Sequence, residues 1–510
     1  MKIIISKELL IKWVKYMKLS NILQQNITTL KDTFKDDDTI KFREFENKYN
    51  KSLKYCVIFA DGMVNKQIVD EYIIEKLMNI DFNNINSQES VSVQNIIDVM
   101  IKKVVISGDV KKDTDIDKMI KAMLYGDTIV IVDGVSEALI VDTKGWPVRA
   151  ISESPSEKVV KGSREAFTES IMSNTTLIRR RVINKNLKFL FMELGVQTKT
   201  KIALCYIEGL AQEEILKEVK KRLQCIDIDG ILESQYIEEF ICDAPLSLFK
   251  TIGDTESPDV VAGRILEGRI AIICDGTPFV ITMPHIFMEY FQVYEDYFNN
   301  YAYGSINRIL RMLAFFLGLS VPAIYTAVIS FHQELIPTSL LLSIYSSRLG
   351  IPFPTVVEAI VMLFGFDILR EAGTRLPEPV GQAVSIVGAL ILGDAAVNAR
   401  IVSAPMVIVS ALTGLASFLV PRMVGAFMVI RLVFLALAAS LGLYGYIFGV
   451  MGLFIYLTSL RSFGVPYMMD SAAIKLEDIK DTAIRAPWFF MNFRPKFFTK
   501  NRRRQRKIRH

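Results

Sequence analysis

The chain has 510 residues, 51% of them hydrophobic and 23% charged, with a mean hydropathy of +0.30, which is too apolar for an ordinary soluble enzyme and too charged for a protein embedded in membrane throughout. Residues Ser471 to His510 hold 12 Lys/Arg against 3 Asp/Glu, so a chain of net charge +5 carries +9 in its tail and −4 over residues 1–470. The five cysteines have no close pairing, the three histidines have no metal-binding helical spacing, and there is no GxxxxGK[ST], which argues against a disulfide framework, a zinc hydrolase and a P-loop ATPase.

In chain order, the opening "MKIIISKELLIKWVKYMKLS" breaks its apolar run with Lys7, Lys12, Lys15 and Lys18 and offers no small-residue cleavage site, so it is expected to be cytoplasmic and not a signal peptide. Residues 1–50 are set apart as a variable N-terminal extension. Residues 51–151 and 166–300 carry the patterning of two α/β subdomains with mixed sheets, joined by a linker at 152–165 where Ser, Pro and Gly concentrate. Three apolar runs end on Asp-Gly, at Asp61-Gly62, Asp133-Gly134 and Asp275-Gly276; the last two are each followed by a second β-branched run, which predicts hairpins. Between them, "TKIALCYIEG" from Thr200 predicts a strand, "AQEEILKEVKKRLQ" a helix with Ile215, Val219 and Leu223 on one face, and "IDIDGI" from Ile226 another strand. The triplet Arg179-Arg180-Arg181, with Lys185 and Lys188, is expected to form a solvated helix face, the other reading being contact with phosphate or lipid headgroups.

Residues 301–465 form the predicted membrane domain. Uncharged runs of 20, 21 and 29 residues begin at Met312, Ile401 and Leu432, and roughly 20 apolar helical residues cross a hydrocarbon core. The segments 335–347 and 351–371 are too short or too charged and read as re-entrant or interfacial. The basic run from Asn501 belongs on the cytoplasmic side, so residues 466–510 form a basic cytoplasmic tail suited to an anionic leaflet and not to nucleic acid. With both termini inside, the spans must be even in number. This promotes 379–399 to a span and gives four, at 307–331, 379–399, 401–421 and 432–460.

A series of blocks then carries a resemblance: "TKTKIALCYIEGLA" (Thr198 to Ala211), "EGRIAIICDGTPFVITMP" (Glu267 to Pro284), "FHQELIPTSLLLSI" (Phe331 to Ile344), "IPFPTVVEA" (Ile351 to Ala359), "ILREAGTRLPEPVGQAVSIVGALILG" (Ile368 to Gly393), "SLRSFGVPYM" (Ser459 to Met468) and "IRAPW" (Ile484 to Trp488). In this order they resemble the A subunits of the GerA-type spore germinant receptors. The resemblance implies a soluble α/β N-terminal region followed by an α-helical polytopic membrane domain, located in the spore inner membrane. It further implies a permease-like B subunit and a lipoprotein C subunit as partners, and homo-oligomers of A subunits forming a germinant-gated ion channel. No enzyme activity and no cofactor are implied. On the residues themselves, Gly381, Val384, Ser385, Val387, Gly388 and Leu392 give 379–399 a small, weakly polar face with apolar neighbours, which suits either close helix packing or a narrow pore. Glu358, Asp367, Arg370 and Asp394 are the candidate membrane-embedded or interfacial charges. A stand-alone transporter and a membrane-anchored cytoplasmic sensor are the competing readings.

Overall fold

The computed structural model describes residues 18–81, 96–101, 109–146, 157, 161–376, 388, 393–468, 481–491, 493–495, 497–499, 501 and 503–504. They fall into two compact units. The first takes in the chain up to Cys242, Ile252–Pro284 and Phe493–Arg506; the second takes in Asp243–Thr251, most of the chain after His285, and Lys507–His510.

The first unit is one motif built twice. Its first half runs α1 (Leu23–Thr33), β1 (Ile40–Glu46), β2 (Lys54–Ala60), β3 (Val110–Asp113), α2 (Ile116–Leu124), β4 (Asp127–Val132) and β5 (Ala138–Asp142). Its second half runs α3 (Ile171–Arg181), β6 (Leu187–Leu194), β7 (Thr200–Ile207), α4 (Glu213–Gln224), α5 (Ser234–Ile241), β8 (Gly253–Thr255), α6 (Pro258–Leu266), β9 (Ile270–Cys274) and β10 (Val280–Met283). The sheets have corresponding orders, β1-β2-β4-β5-β3 and β6-β7-β9-β10-β8. Every described pairing in them is antiparallel, so the sheets expected to be mixed run in alternating directions. Short loops joining β1 to β2 and β4 to β5 impose that arrangement, because parallel neighbours need a long crossover.

The first half begins upstream of the boundary expected at residue 51. Strand β1 is the edge of its sheet, and Leu23, Ile27 and Leu30 of α1 are buried against Cys56, Ile58 and Ile131. Alternate residues of β2 point the other way, where Tyr55 and Val57 pack with Val69, Ile73 and Leu77. A strand covered on both faces reads as a continuous apolar run, which is why β2, β4 and β9 are plain in the sequence.

Both predicted hairpins form, but their loops span five residues and the aspartates have a second task. Asp133 Oδ1 accepts the N–H of Leu23 at 3.0 Å, and the Gly134 N–H donates to the Asn21 carbonyl at 2.9 Å. In the second half Asp275 Oδ1 accepts the N–H of Ile171 at 3.0 Å, and the Gly276 N–H donates to the Glu169 carbonyl at 2.7 Å. Each aspartate thus satisfies the first free N–H of the opening helix of its own half. The correspondence extends one turn further, where Asn26 closes a ring on the backbone of Ser20 and Asn174 does the same on Thr168. Helix α4 buries Ile215, Val219 and Leu223 as expected. The segment from Ile226 is not a strand: the Ile228 and Asp229 carbonyls accept from Val196 and Gln197 in the β6–β7 loop, so its backbone bonds are spent there.

The arginine triplet is not a solvated face. Arg179, 2% exposed at its side chain, donates through Nη2 to both oxygens of Asp37 (3.1 and 2.8 Å) and to Thr39 Oγ1 (2.7 Å), and its guanidinium lies 5.0 Å from the Phe189 ring. Arg181 pairs with Asp259 and Glu165, Lys185 with Asp117, and the buried Lys188 donates to the Thr33 carbonyl at 2.9 Å. Asp37, Thr39, Thr33 and Asp117 belong to the first half, so Arg179, Lys185 and Lys188 bind the halves together. Part of the basic tail is likewise committed to protein: Arg494 donates to the Leu266 carbonyl, Arg504 pairs with Glu267, and Phe498 is buried with Arg269 stacked 4.0 Å from its ring. Burial pushes the thiols of Cys56 and Cys274 up to about 12 and raises that of Cys205 as well, whereas Cys225 is exposed.

The second unit is a helical bundle: α7 (Tyr301–Phe331), α8 (Thr338–Arg348), α9 (Thr355–Arg375), α10 (Ala404–Phe418), α11 (Val424–Leu441) and α12 (Leu443–Ser459), followed by the small hairpin β11 (Arg461–Ser462) and β12 (Val465–Pro466). Among the described residues, two helices are long and apolar enough to cross a membrane, Tyr301–Phe331 and Pro421–Leu441. The span expected at 432–460 is two helices packed on each other, because Gly442 takes φ 63° and ψ −141° and turns the chain. A Cβ there would lie 2.7 Å from the His332 ring, and an L side chain rarely adopts that backbone, so only glycine fits. The region expected to be re-entrant or interfacial at 351–371 is the 21-residue helix α9. That expected at 335–347 is the 11-residue helix α8, and the helix in 401–421 has 15 residues.

Candidate functional site

The chemistry of the second unit concentrates on α9. Pro354 stands at its N-cap, where a missing N–H costs nothing, and no proline interrupts the turns that follow. Glu358 and Asp367 are nine residues apart, which at about 100° per residue puts them on opposite sides of the helix. Each reaches a different neighbour.

Glu358 is fully buried. Its Oε2 accepts the backbone N–H of Ser403 at 2.9 Å and the Ser403 hydroxyl at 2.8 Å, while Oε1 accepts from Arg348 Nη2 at 3.2 Å. Ser403 is the N-cap residue of α10, so the carboxylate supplies an acceptor where the helix has free donors. Asp367 accepts from Arg431 Nη2 on α11 and pairs with Arg370 at 3.1 Å, and Arg370 lies 3.5 Å from Ser417 Oγ on α10. Acids inside an apolar bundle are costly unless paired. Both are paired here, and each pairing ties α9 to another helix. Between them, Ala359 and Met362 pack with Val402, Met406 and Leu435.

Of the six candidate pore-lining residues, Gly381, Val384, Ser385, Val387 and Leu392 lie outside the described residues, as does most of the expected linker 152–165. Gly388 is half-buried, and a Cβ on it would stand 2.8 Å from Leu369 Cδ2, so the backbone passes close to α9 at this point. Asp394 is exposed in the short helical stretch before α10. Among the charges expected in or near the membrane, Glu358, Asp367 and Arg370 therefore face protein and Asp394 does not.

Sequence reasoning missed Arg431, Arg348 and Ser403. Arg431 is 3% exposed, and its signal was available: it is the one charge between two apolar stretches, directly before the uncharged run from Leu432. A second missed cluster secures the base of α7. Arg308, 0% exposed, donates to Asp296 at 3.2 Å and to the Asp481 carboxylate and carbonyl at 3.0 Å each; Arg311 holds the same Asp296 at 2.8 Å. Arg485 of "IRAPW" donates through its guanidinium to the carbonyls of Asn299 and Tyr297, and its backbone N–H donates to Ser305 Oγ at 3.1 Å. That block is a strap across the first turns of α7. Among the described residues no three His, Cys, Asp or Glu side chains gather as metal ligands would.

The sequence profile of the Bacillus/Clostridium GerA spore germination proteins matches residues 28–497. The chain belongs to the GerA family. Among its relatives, spore germination protein KA of Bacillus subtilis is 43% identical over 484 residues, 94% of this chain and 88% of the relative. The uncharacterized membrane protein YfkQ of the same organism is 40% identical over 473 residues, 92% of this chain and 90% of the relative. The crystal structure of the N-terminal domain of the A subunit of the Bacillus megaterium spore germinant receptor GerK3 is 35% identical, covers 53% of this chain and 98% of its own, and aligns with a TM-score of 0.43. Two further relatives, the spore germination proteins GerLA and GerQA of Bacillus cereus, are 35% and 31% identical over 87% and 92% of this chain and 89% and 92% of their own. The blocks that carry the resemblance include residues that hold the bundle together: Arg485 in "IRAPW", Glu358 in "IPFPTVVEA" and Ser462 in "SLRSFGVPYM", whose hydroxyl donates to the Thr251 carbonyl at 2.6 Å.

Proposed function

We propose that this chain is the A-type membrane subunit of a nutrient germinant receptor in the spore inner membrane, multi-pass with both termini on the core side, acting with a permease-like B subunit and a lipoprotein C subunit. Copies of the chain assemble so that the segment 379–399 surrounds an ion path, with Gly381, Val384, Ser385, Val387, Gly388 and Leu392 toward it. Nutrient bound by a partner favours one of two arrangements of the assembly and so opens the path; only a difference in affinity between the two can do this.

The observation that carries the reading is the position of α9. Its C-terminal end leads straight into 379–399, and through Glu358 its N-terminal half holds Ser403, just beyond the other end of that segment. A shift of α9 therefore displaces both ends together, and its buried pairs with Arg348 and Arg431 spread that shift to α8 and α11. The test is Ser385→Trp or Ser385→Glu in spores, with assembly checked by co-purification of the partner subunits. Altered germinant-triggered cation release by an assembled receptor supports the channel. Unchanged release and unchanged germination remove it.

A further inference from the structure

In the second unit, the loop Asp243–Thr251 is clamped at its ends and apolar at its tip. Asp243 accepts the N–H of Phe463, the Thr251 carbonyl accepts from Ser462 Oγ at 2.6 Å, and the Lys250 carbonyl accepts from Tyr467 Oη at 2.9 Å. The Lys250 N–H donates to Tyr290 Oη at 3.0 Å. Between these anchors Phe249 is 2% exposed in the bundle core and Ala244 packs on the same core. The chain turns from Ala244 to Ser247, closed by the Ser247 N–H on the Ala244 carbonyl at 3.0 Å, with Pro245 in the second position of the turn. The turn presents Leu246, 97% exposed, with Leu248 beside it at 44%. A leucine held out from a braced turn is not a random surface residue, since the surrounding bonds prevent it from folding back.

The depth of this tip can be read from the rings beneath it. Phe315 on α7 is the fourth residue of the uncharged run that begins at Met312, about 4.5 Å along the axis from its edge at 1.5 Å per residue. Phe287 lies 5.6 Å from Phe315, and Phe249 lies 5.9 Å from Phe287. On its other side Phe249 lies 6.4 Å from Tyr456, one turn before the uncharged run of α12 ends at Leu460. Two helices thus place Phe249 at the margin of the apolar zone. The outward face of α12 continues that zone with Phe448 at 65% and Ile455 at 67% exposure. Arg461 stands exposed just beyond, the cation expected at headgroup level.

We infer that the turn Ala244–Ser247 is a membrane-surface anchor, inserting Leu246 and Leu248 into the headgroup–acyl boundary of the bilayer that α7 crosses. The inference rests on the membrane reading above. The occupant is lipid, because Phe249 of the same loop lies beside Tyr456 of α12, whose exposed face is apolar, and Arg461 stands exposed just beyond, a setting that satisfies both an apolar tip and a neighbouring cation.

The test uses the full chain in nanodiscs of neutral and anionic phospholipid, with Cys225→Ser and Cys242→Ser and a nitroxide on Leu246→Cys. Collision with oxygen and with a water-soluble nickel chelate is compared with two references: a label on native Cys225 for water, and one on Ile455→Cys for hydrocarbon. The expected oxygen-to-nickel ratio at 246 is several-fold above that at 225 and approaches that at 455. A water-like value at 246 with a lipid-like value at 455 overturns the anchor and leaves the membrane reading standing. A label at 246 shielded from both reagents means that another protein chain covers the tip, which also overturns it. A water-like value at 455 overturns the membrane reading itself and the anchor with it.

Discussion

The Arg179–Asp37 pair joins the two halves of the first unit across 142 residues of sequence, with side chains 2% and 0% exposed. Arg179→Met leaves a buried carboxylate that keeps only its local donors, the Thr39 hydroxyl at 2.7 Å and the Thr39 N–H at 3.2 Å. Removing one partner of such a pair costs about 3–5 kcal/mol, most of it the uncompensated charge. Asp37→Asn keeps an acceptor for Thr39 and the guanidinium, so its cost falls at about the lower end of that range. The double variant Asp37→Asn/Arg179→Met buries no charge, and its loss is expected to be smaller than that of Arg179→Met alone, a coupling of about 2 kcal/mol or more. At about 2–4 °C per kcal/mol for a unit of this size, Arg179→Met lowers the unfolding midpoint by roughly 6–20 °C, and the double variant recovers most of it. Thermal unfolding of the detergent-solubilised chain measures this, and hydrogen exchange supplies a local check. The Asp38 N–H donates to the Phe189 carbonyl at 3.0 Å and the Phe191 N–H to Asp38 at 2.7 Å, so these amides lose protection first. Additive effects of the two substitutions, or a cost below about 1 kcal/mol for Arg179→Met, would refute the claim that this pair couples the halves.

Three further outcomes follow from the packing. Burial raises the thiols of Cys56, Cys205 and Cys274, so at pH 8 a group near 12 is thiolate in roughly one molecule in ten thousand; mass-resolved alkylation of the folded chain should mark Cys225 first and these three only on unfolding. On α12, a Cβ at Gly445 would run into the Leu437 carbonyl oxygen, whereas one at Gly452 meets nothing within 4 Å; Gly445→Ala should lower the thermal midpoint and the yield from membranes, and Gly452→Ala should change neither. Glu358→Ala removes the acceptor for both Ser403 donors and leaves Arg348 without this carboxylate partner; it should reduce the germination rate more than Glu358→Gln, which retains an acceptor, and equal effects would show that Ser403 is not held through this group.

Strands and amphipathic helices of the first unit were legible because their periodicity is local. The face Ile215, Val219 and Leu223 can be counted along α4, and the Asp-Gly pairs mark the two hairpins. What the sequence withheld was long-range. A run of arginines looks the same whether it meets water or Asp37, and nothing near Arg179 announces a partner 142 residues away. The start of the first subdomain was misplaced for a related reason: α1 and β1 are strongly polar on their outer faces, and only the paired sheet shows that Leu23, Ile27 and Ile40 are core. The segment from Ile226 has the composition of a strand, yet its Ile228 and Asp229 carbonyls are spent on the β6–β7 loop, and composition does not tell these apart.

In the second unit, the uncharged runs from Met312 and Ile401 fall in α7 and α10, and where the count departs from the helices it does so for a physical reason. The count treats every charge as a boundary between membrane and water, whereas a buried charge with a partner belongs inside the bundle. Arg431 set the start of the run expected to be a single span, but it lies within α11 and meets Asp367. Glu358 and Asp367 led 351–371 to be read as re-entrant or interfacial, and in the bundle Ser403, Arg348, Arg370 and Arg431 satisfy them. The break in the 29-residue run is instead placed by Gly442, an uncharged residue whose backbone no other side chain permits. Charge pairing therefore positions α9 against its neighbours and glycine geometry turns α11 back into α12; hydropathy alone registers neither.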